Sequence, residues 1–139
     1  MASIYLAGPL FCKAELDFNA DLAAQLRGEG HEVYLPQDYA QKLPPAGDER
    51  DAIEEDIFLR DVAMIEKSEV FLMIMDGRVP DEGACFEMGY AYSKGKICIG
   101  LKTDVRVSEQ GGDNIMLSVP LRNGMVHSIP ELLQMLGGM

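Results

Sequence analysis

Short apolar segments alternate with amphipathic segments along most of the chain. The apolar segments are bounded by glycine, proline or charged residues and predict buried strands at residues 4–7, 31–35, 70–75, 97–101 and 125–127. Between the first two, Phe18, Leu22 and Leu26 recur at every fourth position, which predicts a helix with one apolar face that ends near Gly28 and Gly30. Further helices are predicted at residues 51–68, 82–94, 114–119 and 129–136.

Strands that alternate with helices are typical of a parallel sheet with helices on both faces. We therefore expect an α/β protein, a flavodoxin-like three-layer sandwich with a five-stranded parallel sheet, in a single domain over residues 1–139. Two longer connections interrupt the alternation. Residues 37–50 contain Pro44, Pro45 and Gly47 and are predicted to form a loop, and residues 104–112 are predicted to form a mobile loop.

The net charge narrows the classes of partner. The 139 residues carry a formal net charge of -11, which argues against nucleic acid, because that binding depends on contacts from lysine and arginine to phosphate. It also argues against an anionic membrane surface. No basic segment followed by an apolar run opens the sequence, and no apolar stretch is as long as a membrane span. A cytoplasmic protein that binds a small molecule or a protein partner is expected.

The cysteines indicate neither a disulfide framework nor a metal site. Cys12, Cys85 and Cys98 are an odd number and no two are close in sequence. We expect all three to be buried free thiols. No metal and no cofactor is predicted.

The segment from residue 80 to residue 91 is the strongest candidate for chemistry. It follows a buried strand, begins with acidic residues and continues as a helix, and open α/β sheets bind ligands at the carboxyl ends of their strands. On that helix Glu87 shares one face with Gly83, Ala84 and Ala91. These small residues leave space around the carboxylate, and Gly83 permits close approach of a ligand. The alternative is an ordinary surface glutamate.

Three aspartates are further candidates, each with a structural alternative. Asp61 lies between Ile57 and Ile65 on an apolar helix stripe, where an unpaired carboxylate is costly and is suited to donate or share a proton. It could instead cap a nearby loop. Asp81 is placed to cap a helix, which leaves room for a second hydrogen bond to a ligand hydroxyl. Asp76 ends a strand and is either a turn former or a ligand contact.

Taken together these segments resemble the nucleoside 2-deoxyribosyltransferase family. The resemblance extends from about residue 4 to residue 118. It is carried by Ile4-Tyr5-Leu6-Ala7-Gly8-Pro9-Leu10-Phe11, Asp61, Asp76-Gly77, Asp81-Glu82-Gly83, Glu87-Met88-Gly89-Tyr90-Ala91, Gly95-Lys96 and Asp113-Asn114.

The resemblance implies a role for each of five residues. Glu87 matches the nucleophile that attacks the anomeric carbon of a 2'-deoxynucleoside, and Tyr5 matches the tyrosine that orients it. Asp61 matches an acid near the nucleobase that protonates the departing base. Asp81 matches a ligand of a sugar hydroxyl, and Asn114 matches a residue that reaches a sugar hydroxyl in the neighbouring subunit's site.

The resemblance also implies contacts to the base. Phe11 falls where the base is stacked, and Gln37 falls where it is hydrogen-bonded, with Gln41 as a rival for that role. The turn at Gly8 belongs to the same substrate-binding region, although it lacks the spacing of a dinucleotide fingerprint or a P-loop.

The leading hypothesis is therefore an enzyme that exchanges the base of 2'-deoxynucleosides through a covalent deoxyribosyl-Glu87 intermediate with retention. Its partners would be nucleosides and free nucleobases, and the resemblance implies a homo-oligomer, a dimer or a hexamer. One alternative is an N-glycosidase acting on nucleosides or nucleoside 5'-monophosphates. A second is a non-catalytic nucleotide-binding module. Preferences between purines and pyrimidines, and between 2'-deoxynucleosides and ribonucleosides, stay open.

Overall fold

The predicted apolar segments pair as parallel strands in the computed structural model, which describes residues 1–107 and 111–139. The strands of these described residues are β1 Ser3–Ala7, β2 Glu32–Tyr34, β3 Val70–Ile74, β4 Ile97–Leu101 and β5 Met125–Val126. Their order across the sheet is β2-β1-β3-β4-β5, which is the order of flavodoxin-like doubly wound folds. The predicted five-stranded parallel sheet is confirmed.

The helices lie between the strands as predicted, with differences at their ends. The described α-helices are α1 Lys13–Gly28, α2 Asp48–Lys67, α3 Glu82–Ser93, α4 Ile115–Ser118 and α5 Ile129–Gly137. Helix α2 begins three residues earlier than expected. Gly47 precedes it with a φ of 151°, and its first turn carries three acidic residues, which are favourable at the positive end of the helix dipole. None of the described helices combines the length and the hydropathy needed to cross a bilayer.

The two predicted loops have different outcomes. The loop predicted at residues 37–50 is wrong at both ends, because a 3-10 helix, Pro36–Tyr39, opens it and the first residues of α2 close it. Proline at the start of that short helix needs no backbone N–H there. The loop predicted at residues 104–112 includes residues 108–110, which lie outside the described residues.

The sheet buries a separate apolar layer on each face, because alternate residues of a strand point to opposite sides. On one face Ile4 and Leu6 of β1 pack with residues of α1 and α5. On the other face Tyr5 and Ala7 pack with residues of α2, α3 and α4. The three-layer sandwich therefore places α2 and α3 together above the face to which Tyr5 points.

The register between β1 and β2 positions a second tyrosine on that face. Tyr5 is the register partner of Tyr34, and neighbours in register point to the same side of a sheet. Both side chains therefore rise from adjacent strands toward α2 and α3.

The cysteines are free, but they are less buried than expected. Cys12 is exposed at the residue before α1, and Cys85 and Cys98 are half-buried. The expectation of three buried thiols was wrong for Cys12, because the turn after β1 lies on the surface.

Candidate active site

A pocket of about 460 Å³ opens where β1 ends and where α2 and α3 face each other. This is the edge of the sheet at which open α/β folds bind ligands. Its walls come from the end of β1 and the turn that follows, from α2 and from the first turns of α3. The lining residues are Tyr5, Ala7, Gly8, Leu10, Phe11, Pro36, Leu43, Glu54, Ile57, Phe58, Asp61, Val62, Asp81, Gly83, Phe86 and Glu87.

Helix α3 brings Glu87 close to β1 because its inner face carries small side chains. Ala84, Met88 and Ala91 are buried on this face, and the two alanines let the helix lie close to the sheet. Gly83 and Glu87 continue the same face into the pocket. The predicted helix face around Glu87 is therefore found in the structure.

Glu87 and Tyr5 form the central contact of the pocket. The Tyr5 hydroxyl is on a fully buried side chain and donates a hydrogen bond to Oε2 of Glu87. Burial raises the pKa of Glu87 to about 7, the charges of Asp61 and Asp81 act in the same direction, and the Tyr5 hydrogen bond opposes them. Burial and the Glu87 charge raise the pKa of Tyr5. Tyr5 thus remains a phenol donor, and Glu87 changes charge close to neutral pH.

Asp61 lies in the pocket wall with a hydrogen-bond partner. Its side chain is 21% exposed, and its Oδ1 accepts a hydrogen bond of 2.8 Å from the Tyr34 hydroxyl. The Arg60 Nε lies 3.7 Å from the same oxygen and donates to the Tyr34 hydroxyl at 2.9 Å. The cost of an unpaired carboxylate on the apolar stripe is thus avoided, because a tyrosine from β2 reaches Asp61 across the sheet face.

A row of stacked aromatic rings on one face of the sheet connects the two carboxylates. The Tyr5 ring stacks on Phe71 at 5.7 Å and on Tyr34 at 5.3 Å between centroids. Tyr34 in turn stacks on Tyr39 at 5.0 Å, and the Arg60 guanidinium lies over the Tyr39 ring at 5.2 Å. Two neighbouring rings of one stack therefore carry hydroxyls that bind the two carboxylates. Tyr5 donates to Glu87, and Tyr34 donates to Asp61.

Asp81, Gly8 and Gly83, three of the predicted site residues, line this pocket. Asp81 caps α3, and its Oδ2 accepts from the Ala84 amide at 2.9 Å. A Cβ on Gly83 would come within 3.3 Å of that oxygen. A Cβ on Gly8 would lie 2.8 Å from Cβ of Ile74, so the turn after β1 can approach β3 only with glycine.

Phenylalanines form the rim of the pocket. Phe11 is 78% exposed, and Phe58 and Phe86 lie 6.0 Å apart between centroids, both exposed. Exposed rings of this kind offer flat apolar surfaces to a planar ligand. Phe11 therefore lies at the pocket, and its stacking on a base stays a prediction.

Gln37 does not line the pocket. Its Oε1 accepts from Asn19 Nδ2 at 3.0 Å, and its Nε2 donates to the Leu16 carbonyl at 2.9 Å. Both ends of the amide therefore hold the 3-10 helix against α1.

Asp76 and Asn114 also lie outside the pocket of their own chain. Asp76 accepts from the Thr103 amide at 2.7 Å, from the Thr103 hydroxyl at 2.6 Å and from the Asp104 amide at 3.0 Å. It joins the ends of β3 and β4, which is a structural role between distant segments and not the local turn that was one of its two alternatives. Asn114 caps the short helix α4 by accepting from the Met116 amide at 2.9 Å.

The charged residues in the described lining of the pocket are all acidic. Glu54, Asp61, Asp81 and Glu87 line it, and the described lining residues include no lysine, arginine or histidine. Glu54 is paired at 2.7 Å with Arg50, one turn earlier on α2.

Sequence reasoning did not identify Tyr34 and Glu54 as site residues. Glu54 lies seven residues before Asp61, which places both on one helix face, so this signal was present in the spacing. Tyr34 had no such local signal, because its place depends on the register of β1 and β2.

Solved structures share this fold. A conserved protein from Enterococcus faecalis V583 is 28% identical with a TM-score of 0.80, and the match covers 96% of each chain. A 2-deoxyribosyltransferase from Bacillus psychrosaccharolyticus is 23% identical with a TM-score of 0.79, covering 94% of this chain and 90% of that chain. The CMP N-glycosidase BcmB of Clostridium botulinum is 18% identical with a TM-score of 0.60, covering 97% and 98%. No curated protein is significantly similar in sequence.

A family model supplies the decisive sequence evidence. The model described as nucleoside 2-deoxyribosyltransferase matches residues 4–126. That range contains all of the described pocket lining, from Tyr5 to Glu87, as well as Asn114. Because the match spans most of the chain and its whole candidate site, the chain belongs to the nucleoside 2-deoxyribosyltransferase family.

Proposed function

We propose that the protein exchanges the nucleobase of 2'-deoxynucleosides. Glu87 is the nucleophile, and Asp61 is the acid that protonates the departing nucleobase. The observation that carries this proposal is the Tyr5–Glu87 contact in a pocket that Asp61 also lines. A carboxylate with a pKa of about 7 is ionised in a useful fraction at neutral pH and is only weakly solvated.

In the first half-reaction a Glu87 oxygen forms a bond to the anomeric carbon as the bond from that carbon to the base nitrogen breaks. The electron pair of the broken bond stays with the base, and a proton from Asp61 neutralises it. The products are a deoxyribosyl ester of Glu87, a free base and an Asp61 carboxylate. Tyr5 donates to Oε2 of Glu87, which leaves Oε1 for the attack. Covalent catalysis of this kind divides one difficult displacement into two easier ones.

In the second half-reaction a different base attacks the same carbon and releases Glu87. The incoming base gives its proton to Asp61, which restores the starting state. Two displacements at one carbon retain its configuration, as in retaining glycosidases. Transfer competes with attack by water, so the pocket must be covered while the ester exists.

Other pocket residues are proposed to hold the substrate. Asp81 has a second carboxylate oxygen beyond the one that caps α3, and we assign it to a sugar hydroxyl. Gly83 leaves room for the sugar next to Glu87, and Phe11 stacks on the base. Gln37 and Asp76 are not assigned to the substrate, because their polar atoms already bind within the chain.

The pocket charge favours nucleosides over nucleoside 5'-monophosphates. The charged side chains of the described pocket lining are all acidic. Even with Asp61 protonated and Glu54 paired with Arg50, Asp81 and the ionised Glu87 would repel a phosphate dianion there. This separates the proposal from the nucleotide substrate named for the Clostridium botulinum relative.

A second copy of the chain is proposed to cover the pocket. The rim residues Phe11, Phe58 and Phe86 are exposed, and so are Ile115 and Met116 beside Asn114. A dimer or hexamer that buries these surfaces would exclude water and could bring Asn114 to a sugar hydroxyl in the neighbouring pocket.

The test is base exchange from deoxyinosine to adenine, followed by chromatography for deoxyadenosine. Glu87→Gln should remove exchange, whereas Glu82→Gln, on the exposed start of the same helix, should retain it. Deoxyinosine 5'-monophosphate should react at least tenfold more slowly than deoxyinosine.

Other outcomes identify the alternatives. Release of hypoxanthine with no deoxyadenosine would support an N-glycosidase. The exposed rim of the single chain is the observation that favours this alternative. Nucleoside binding without turnover, unchanged in Glu87→Gln, would support a non-catalytic binding module and overturn the proposal.

A further inference from the structure

The Tyr34 hydroxyl is the only link between Asp61 and the sheet among the described hydrogen bonds. It donates to Oδ1 of Asp61 at 2.8 Å and accepts from Nε of Arg60 at 2.9 Å. Arginine is a donor without acceptor capacity, and a phenol has one proton. The direction of both hydrogen bonds is therefore set, and the Tyr34 proton points to Asp61.

That direction distinguishes the two oxygens of Asp61. Oδ1 receives the Tyr34 proton and lies 3.7 Å from Arg60. A proton held by Asp61 itself is therefore favoured on Oδ2, since Oδ1 already accepts a hydrogen bond and faces the cation. Oδ2 is then the oxygen left to exchange a proton with a ligand in the pocket.

The Tyr34 ring is fixed in place. Its side chain is 8% exposed, and its ring lies between those of Tyr5 and Tyr39. The Arg60 guanidinium lies over the Tyr39 ring, so the donor to Tyr34 belongs to the same packed unit. Asp61 is on α2, and this contact ties its carboxylate to β2.

We propose that Tyr34, supported by Arg60, is a positioning residue for Asp61: it holds Oδ1 so that Oδ2 carries the proton that passes to the leaving base. This inference rests on the proposed function, in which Asp61 protonates the base. Tyr34 does not line the pocket and acts only through Asp61.

The first measurement is single-turnover release of hypoxanthine from deoxyinosine. Tyr34→Phe removes the hydroxyl and keeps the ring, and should slow release by roughly ten- to a hundred-fold, as expected for loss of a hydrogen bond to a charged group. Tyr39→Phe is the matched control. It removes a hydroxyl from the adjacent ring of the stack, one without a hydrogen bond to any described residue, and should leave the rate unchanged.

A substrate that needs no proton separates positioning from a general structural effect. The base of 7-methyl-2'-deoxyguanosine is already cationic, and the electron pair of the broken bond makes it neutral without Asp61. Tyr34→Phe should therefore release 7-methylguanine at close to the rate of the unmodified protein. Equal losses on both substrates would overturn the inference.

Asp61→Asn provides the second comparison. If Tyr34 acts through Asp61, adding Tyr34→Phe to Asp61→Asn should change deoxyinosine turnover by less than about threefold. A loss in this background as large as in the unmodified protein would also overturn the inference. Failure of the proposed function looks different, because then the unmodified protein would release no base from either substrate.

Discussion

Replacing Glu87 by glutamine is expected to stabilise the folded protein at pH 8 while it removes activity. The raised pKa of Glu87 means that the folded state binds this proton more tightly than the unfolded chain does. Below pH 4.5 both states hold the proton and no penalty exists. As the pH rises from 4.5 to about 7 the unfolded chain ionises first, so the folded state loses stability. Above pH 7 the full penalty is present, and glutamine does not pay it.

The size of the effect follows from the pKa. A rise from 4.5 to about 7, at about 1.4 kcal/mol per unit, gives an upper value of about 3–4 kcal/mol. Glu87 is half-buried, so solvent screening reduces this to about 1–3 kcal/mol. Glutamine can still accept the Tyr5 hydrogen bond through its carbonyl oxygen, so that contact is retained.

The assay is urea unfolding followed by circular dichroism at pH 5 and pH 8. The stability advantage of Glu87→Gln over the unmodified protein should grow by about 1–2 kcal/mol between these pH values. Glu82→Gln controls for the removal of one carboxylate from a chain with a net charge of -11. An advantage that is the same at both pH values, or larger at pH 5, would refute the argument that burial raises the pKa of Glu87.

Three further changes test separate parts of the site. Tyr5→Phe removes the hydrogen bond that lowers the pKa of Glu87, so kcat should fall roughly ten- to a hundred-fold and the acidic limb of the kcat/KM profile should move to higher pH; a limb that stays in place contradicts this. Gly8→Ala sets a Cβ 2.8 Å from that of Ile74 and should cost about 1–3 kcal/mol in urea unfolding, so an unchanged midpoint would count against the close approach. Asp81→Ala should cost about 1 kcal/mol through loss of the helix cap, whereas Asp81→Asn should not, and equal stabilities of the two variants would exclude a capping role.

The fold could be predicted because its signals are local. Strands β1 and β3 are short apolar segments, and α1 buries the face that carries Leu22 and Leu26. The helix face that carries Glu87 could be predicted for the same reason, since Gly83, Ala84 and Ala91 lie within two turns of it. The start of α2 could not be predicted from the apolar pattern, because the first turn of this helix is acidic and is stabilised by the helix dipole.

The rest of the site depends on contacts between distant segments. The partner of Asp61 could not be predicted, because Tyr34 lies 27 residues earlier, on a strand whose register no local pattern sets. Asp76 finds its donors 27 and 28 residues later, and Gln37 finds its own on α1. A sequence shows that such polar side chains exist but not whether other parts of the chain already satisfy them.

The pairing of Tyr5 with Tyr34 has a consequence for how the site tolerates change. The two carboxylates sit on different helices, yet each is hydrogen-bonded to one of two adjacent strands. Adjacent strands in a sheet keep a spacing of about 4.8 Å whatever their side chains are. The spacing of the two strands therefore sets the separation of Glu87 and Asp61. Substitutions on the outer faces of α2 and α3 can shift or tilt those helices before either carboxylate leaves its place.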